Sequence, residues 1–194
     1  MSQTEPADAD RFLALLKPLE HDLETYCRRL IWEPQEAPDA LQNAVMRAFA
    51  AFDRYHENAS FRAWMFKILT HEAFALNRKQ ARIARHEFQL DPEELAGLAS
   101  AGEPDQGGSQ PITAETLNDA LEPALAAGLK TLTDTERAVL LLRAIGELRY
   151  REISDSLGIP LGSVMGNLSR ARQKMRALIA RSTRSNNSLK ENQI

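Results

Sequence analysis

The chain has 194 residues, 43% hydrophobic and 26% charged, enough for one domain or two small ones, with no apolar run long enough to span a membrane. Its single cysteine, Cys27, excludes an internal disulfide and a cysteine-based zinc cluster. The net charge of −3 hides an uneven distribution: 13 acids and 12 bases in 1–90, 8 acids and no base in 91–124, and 6 acids and 12 bases in 125–194. A basic C-terminal part behind an acidic middle is either an ordinary solvated surface or the asymmetry that nucleic-acid binding requires. The acidic, polar start MSQTEPADAD does not read as a secretory signal, so a cytoplasmic protein without structural metal is expected.

Residues 10–85 read as helices. Phe12, Leu15, Leu16, Leu19, Leu23, Tyr26 and Leu30 recur at spacings of three and four, and Pro18 suits a first helical turn, so the main helix is expected to start there. WEPQEAP is a break. Pro38 then opens a second helix to about Phe52, with Leu41, Val45, Ala48, Phe49 and Phe52 as its apolar stripe. DRYHENAS is a polar loop with Ser60 as N-cap. A third helix runs from Phe61 to about Arg85, with Phe61, Trp64, Met65, Ile68 and Ala75 on one side and a basic end at Arg78, Lys79, Arg82 and Arg85. Trp64 and Cys27 are read as core residues.

Residues 91–112 are rich in Gly, Pro, Ser and acid and hold no aromatic residue, which marks a linker. Helices resume at Thr113, with Leu117, Leu121, Leu125 and Leu129 spaced by four and a new first turn at Pro123. Thr133 to Glu136 fit a capping box that starts a helix ending near Gly146. Arg149 to Leu157 form a short helix stopped by Gly158 in a left-handed C-cap. A last helix runs from Pro160 or Leu161 to about Ala180. The expected fold is all-α: two small helical domains, 10–88 and 114–182, joined by a flexible acidic linker, 89–113, and followed by a disordered tail, 183–194.

The segment from Leu148 to Ile179 reads as a helix-turn-helix, whose second helix enters the major groove. At about 100° per residue, Leu161, Val164, Leu168, Ala171, Met175 and Leu178 share one side, the core side. Gly166, Ser169, Arg170, Gln173 and Arg176 lie opposite, where arginine, serine and glutamine are base-reading side chains. Ser163, Asn167, Arg172 and Lys174 flank that strip in positions suited to phosphates. The same residues also fit the solvated face of an ordinary amphipathic helix.

These residues carry a family resemblance. Leu132, Arg137, Tyr150-Arg-Glu-Ile, Leu157-Gly-Ile-Pro, Gly162-Ser-Val and Arg170-Ala-Arg resemble domain 4 of the extracytoplasmic-function (ECF) sigma factors. Ala37-Pro-Asp-Ala-Leu-Gln-Asn, Ala51-Phe52, Phe61, Trp64-Met, Ile68, His71 and Arg78 resemble domain 2. The sequence departs from the family where Gly166-Asn167 replace Ser-Arg, removing a phosphate-binding charge. It departs again at His71, Ala75 and Asn43, where the pattern has Asn, Asp and an acid.

The resemblance implies sigma domain 2 (10–88) and sigma domain 4 (114–182) of a factor that gives bacterial RNA polymerase its promoter specificity. Asp39, Gln42, Asn43 and Arg47 are expected to dock on the β′ clamp helices of core polymerase, whose β flap is a second partner. Asp39 equally suits a helix-capping role. Tyr55, His56 and Asn58 are expected to hold a flipped −10 base, and His71, Arg78, Lys79 and Arg82 to lie along the −10 DNA, the three cations on phosphates. Ser163, Met165, Gly166, Asn167, Ser169, Arg170, Arg172, Gln173 and Arg176 are expected to meet the −35 element. The acidic linker is expected to thread the polymerase RNA channel, and an anti-sigma protein is an expected partner; no cofactor, metal or membrane insertion is implied. Two other readings are a sigma-like decoy that only binds an anti-sigma protein and a stand-alone helix-turn-helix regulator. An enzyme is not expected: His21, His56, His71 and His86 are scattered without metal spacing, and no phosphate-binding glycine loop is present.

Overall fold

The structure, a computed structural model, describes residues 6–56, 60–88 and 125–191, with side chains described over 8–56, 60–83 and 125–178. The expected linker and Asn58 lie outside the described residues. All regular structure among those residues is helical.

Helix α1 (Pro6–Leu16) is followed by a 3-10 turn (Lys17–Leu19) and by α2 (Glu20–Leu30). Pro18 opens the 3-10 turn rather than the main helix expected there. Its ring and missing N–H stop the preceding α ladder, so one periodic apolar run becomes two helices. Glu20 and Asp22 in the first turn of α2, and Arg28 and Arg29 in its last, complement the helix dipole. After a 3-10 turn at Pro34–Glu36 comes α3 (Ala37–Ala50). Its fully buried stripe is Ala37, Ala40, Ala44 and Ala48; the expected Leu41, Val45 and Phe49 are only partly buried beside it. Small residues let α3 lie close to α2 and α4, and the larger side chains then pack along the edges of that contact. A 3-10 turn, Phe52–Arg54, precedes α4 (Phe61–Phe88), where the Ala63 amide donates to Ser60 Oγ in the expected cap.

The first core centres on Phe12, whose ring meets Phe49, Phe52 and Phe61 edge-on with centroids 5.3, 5.3 and 5.8 Å away. Deeper in, Thr70 donates to the Phe66 carbonyl and accepts from the Tyr26 hydroxyl, each at 2.6 Å. Burial raises the Tyr26 pKa, so the phenol stays a donor.

In the second half, residues 125–130 are helical, then come α5 (Asp134–Ala144), α6 (Tyr150–Leu157) and α7 (Leu161–Glu191). The expected capping box is present: Glu136 N donates to Thr133 Oγ1 at 3.2 Å and Thr133 N to Glu136 Oε2 at 3.1 Å. Gly158 adopts φ 64°, the left-handed C-cap. Helix α7 continues past Ala180, and 183–191, expected as disordered tail, have helical backbone. No glycine or proline follows Gly166, so nothing in the sequence stops the helix. Val139, Leu142, Leu148, Ile153, Val164, Leu168 and Ala171 form the buried core of this half.

Cys27 is fully buried, its thiol donates to the Ala37 carbonyl at 3.5 Å, and burial pushes its pKa up to about 12. The reactive thiolate is therefore absent near pH 8. Dithiobisnitrobenzoate at that pH should leave the folded chain unmodified and titrate Cys27 only in denaturant; full labelling of the folded chain would contradict the packing. Leu69→Ala, which empties a fully buried site, should lower the unfolding free energy by about 2–5 kcal/mol in urea titrations.

Candidate nucleic-acid interface

The helix-turn-helix is assembled from α6, the Gly158 turn and α7. Ser154 Oγ donates to the Ile159 carbonyl at 2.6 Å and Ile159 N to the Ser154 carbonyl at 3.2 Å, which fixes the angle between the helices. Val164, Leu168, Ala171 and Met175 of α7 are buried as expected, while Leu161 is 37% exposed because it stands in the first turn, beyond the core. Ser163, Met165, Ser169, Arg170, Arg172, Gln173 and Arg176 are exposed along the outer face, and Gly166 and Asn167 are half-buried there. The structure thus brings the expected −35 residues together on one face.

One carboxylate organises that face. Glu136 is 3% exposed, yet Lys174 Nζ donates to its Oε2 at 2.6 Å and Arg170 Nε to its Oε1 at 3.3 Å. Burial alone would raise its pKa; the hydrogen bonds from Lys174, the Thr133 amide and Arg170 outweigh it and hold the carboxyl below its ordinary value. In the sequence Glu136 is legible only as a cap, because its partners on α7 are 34 and 38 residues away.

In the first half, Asp39, Gln42, Asn43 and Arg47 form an exposed ridge on α3. Arg47 pairs with Glu72 of α4 while most of its side chain faces solvent. Met46, 63% exposed on the same ridge, was missed, although its spacing of four from Gln42 is readable in the sequence. His56 is exposed, but Tyr55 is half-buried, stacked on Phe52 at 5.8 Å and wedged against Phe61 and Trp64. Its ring belongs to the aromatic cluster. His71, Arg78, Lys79 and Arg82 are exposed along α4.

The two halves pack on each other, their buried apolar residues forming one cluster, and polar contacts join them at three places. At the end of α2, the Leu30 carbonyl accepts from Asn77 Nδ2 and Arg137 Nη1, each at 3.4 Å, while Trp32 Nε1 donates to Asp134 Oδ1 at 3.1 Å. Arg62 of α4 donates to the Gly146 and Ile145 carbonyls just past α5, at 2.6 and 2.7 Å, and to Asp22 Oδ2 at 2.6 Å. His71 Nε2 lies 3.1 Å from the Ser156 carbonyl of α6. A −10 candidate is thus engaged by the −35 half. Beside the seam, a groove of about 780 Å³ between α2 and residues 125–130 is lined by Arg29, Lys130, an Arg28–Glu24 ion pair and the apolar Ile31, Leu125 and Leu129. Among the described residues no group of three or more His, Cys, Asp or Glu side chains is placed to hold a metal ion, and no helix is long and apolar enough to cross a membrane.

The family models for Sigma-70 region 2 and Sigma-70 region 4 match residues 15–83 and 124–175. The RNA polymerase sigma factor CnrH of Cupriavidus metallidurans is 32% identical over 148 residues, covering 74% of this chain and 73% of CnrH. The ECF sigma factor SigW of Bacillus subtilis is 27% identical over 178 residues, covering 91% of this chain and 92% of SigW. SigG of Mycobacterium tuberculosis is 26% identical over 190 residues, and this chain spans about half of its length, 51%. The fold resembles the sigma factor RpoE in complex with the anti-sigma factor NepR from Bartonella quintana, with TM-score 0.62, 24% identity, and coverage of 89% of this chain and 97% of that one. With both sigma regions matched in order on two helical halves, the chain belongs to the ECF family of RNA polymerase sigma factors.

Proposed function

We propose that this chain directs bacterial RNA polymerase to promoters, as an initiation factor acting by binding in the cytoplasm and not as an enzyme. The observation that carries the reading is the exposed outer face of α7 on a helix-turn-helix, joined in one chain to the exposed ridge on α3. The ridge, with Asp39, Gln42, Asn43, Met46 and Arg47, docks on core polymerase. Arg78, Lys79 and Arg82 track phosphates of the −10 region, a sequence-blind and salt-sensitive contribution. The outer face of α7 reads the −35 element. A stand-alone regulator would have no use for a region 2 fold.

The packed arrangement has to open for this work. The −10 and −35 elements lie about 25 base pairs apart, or about 85 Å at ~3.4 Å per pair. A compact chain of this length has a radius of gyration of only about 16 Å. Opening frees His71 from Ser156 and Arg62 from the end of α5. The solved structure of RpoE is a complex with the anti-sigma factor NepR, and that of CnrH a complex with the cytosolic domain of CnrY. For this chain a partner with an acidic segment in the basic groove at the seam would contact both halves and hold them together.

Arg62→Ala removes three hydrogen bonds across or beside the seam. It should raise the radius of gyration in small-angle X-ray scattering while circular dichroism stays unchanged; an unaltered radius would show that Arg62 does not close the seam. The double variant Asp39→Arg, Gln42→Ala should bind core polymerase at least about tenfold more weakly, the effect of reversing a charge in an interface, and lose run-off transcription. Wild-type binding by that variant would remove α3 from the docking surface. Lys79→Ala should weaken all DNA sequences alike and reduce the salt slope by about one, read by fluorescence anisotropy of the polymerase complex at several salt concentrations.

A further inference from the structure

An exposed arginine ordinarily samples many rotamers, and Arg170 does not have that freedom. Its Nε donates to Glu136 Oε1 at 3.3 Å and its Nη2 to Asn167 Oδ1 at 3.0 Å. Asn167 is fixed in turn, since its Nδ2 donates to the Ser163 carbonyl at 2.8 Å and the amide cannot turn over without losing both contacts. A Cβ on Gly166 would stand 3.4 Å from Arg170 Nη1, so the guanidinium lies over the bare backbone of that glycine. Glu136 is anchored independently by its capping box at the start of α5. The result is a planar fork clamped from two sides, 58% of its side chain exposed, with N–H groups to spare on the face that α7 presents.

The two departures from the family pattern belong to this clamp. An arginine at 167 would supply no acceptor for Arg170, so asparagine there is what this orientation needs. Glycine at 166 leaves the space beneath the guanidinium open. Holding the fork beforehand removes ordering cost that a free arginine meets on binding.

Resting on the sigma-factor reading above, we propose that Glu136 and Asn167 are positioning residues that hold the Arg170 guanidinium over Gly166 to read a guanine edge in the −35 element. A planar arginine fork matches the O6 and N7 acceptors of guanine, and a misdirected one does not. Lys174, on the other oxygen of Glu136, is held by the same carboxylate beside the phosphates.

The test is promoter selection from a randomised −35 library by core polymerase bound to the full chain, comparing wild type with Arg170→Ala, Glu136→Gln, Asn167→Leu and the Arg170→Ala, Glu136→Gln pair. Glutamine preserves the capping box, so Glu136→Gln keeps the helix start. Wild type should show a guanine preference at one −35 position, and each single variant should reduce that preference by about tenfold, the scale of one bidentate contact. The double variant should be no worse than Arg170→Ala, because the carboxylate acts through the arginine. Affinity for random duplex should stay level or rise in Glu136→Gln, since a negative charge beside the DNA is lost; a purely structural defect would lower all affinities together. Equal weakening on every sequence with the preference intact, or additive losses in the double variant, would overturn the proposal. A wild-type complex that selects no promoter at all would instead count against the sigma-factor reading, which separates the two failures.

Discussion

The last carbonyls of α2 are where the molecule is held together. A helix end leaves carbonyls without partners, and at Leu30 that vacancy is met by Asn77 of α4 and Arg137 of α5 at once. Arg137 is only 6% exposed, and burial lowers its pKa. A buried guanidinium is tolerated only where its donors find acceptors. It finds them in the Leu30 carbonyl and, 3.0 Å from its Nε, in the Leu129 carbonyl. Parting the halves would cost Arg137 its Leu30 partner and leave it the Leu129 carbonyl of its own half, so the junction is shared between them. The Trp32 amide, donating to Asn77 Oδ1 at 3.1 Å, extends the same junction.

That junction sets the relation between closure and function. Arg62 and His71 are polar side chains on α4 of the first half, and both are engaged by backbone carbonyls of the second. Such contacts are individually modest, about 0.5–3 kcal/mol each, and water or DNA can replace them. The buried apolar side chains of the two halves belong to one cluster, so opening also uncovers apolar surface where they meet. The seam therefore combines exchangeable polar contacts with apolar packing.

What the sequence made legible was local. The Thr133–Glu136 capping box, the Gly158 turn, the Ser60 cap and the phase of α7 each depend on residues within one or two turns, and each is where the pattern put it. The boundary at Pro18 misled because the apolar period runs through a residue that breaks the backbone ladder. The α3 stripe misled because alanine carries little hydrophobic signal, although its small size lets the helix come close. Tyr55 suits a base-holding role by residue type; that its ring packs on Phe52, Phe61 and Trp64 is visible only in the tertiary structure. The seam was not legible at all, since Trp32 and Asp134 are 102 residues apart and nothing local marks either one. The Arg170 clamp lies between these cases: Asn167 is legible as a departure from the family pattern, while its contact with Arg170 and that of Glu136 with Arg170 are visible only in the fold.

The central claim is that the two promoter-reading halves are closed on each other in the free chain and separate on promoter DNA. Spin labels at the exposed positions Ala50 on α3 and Arg151 on α6 would report it by double electron–electron resonance. One narrow distance in the free chain should be replaced by a markedly longer one when the chain is bound to core polymerase and promoter. The same distance in both states, or a broad long distribution in the free chain, would contradict it.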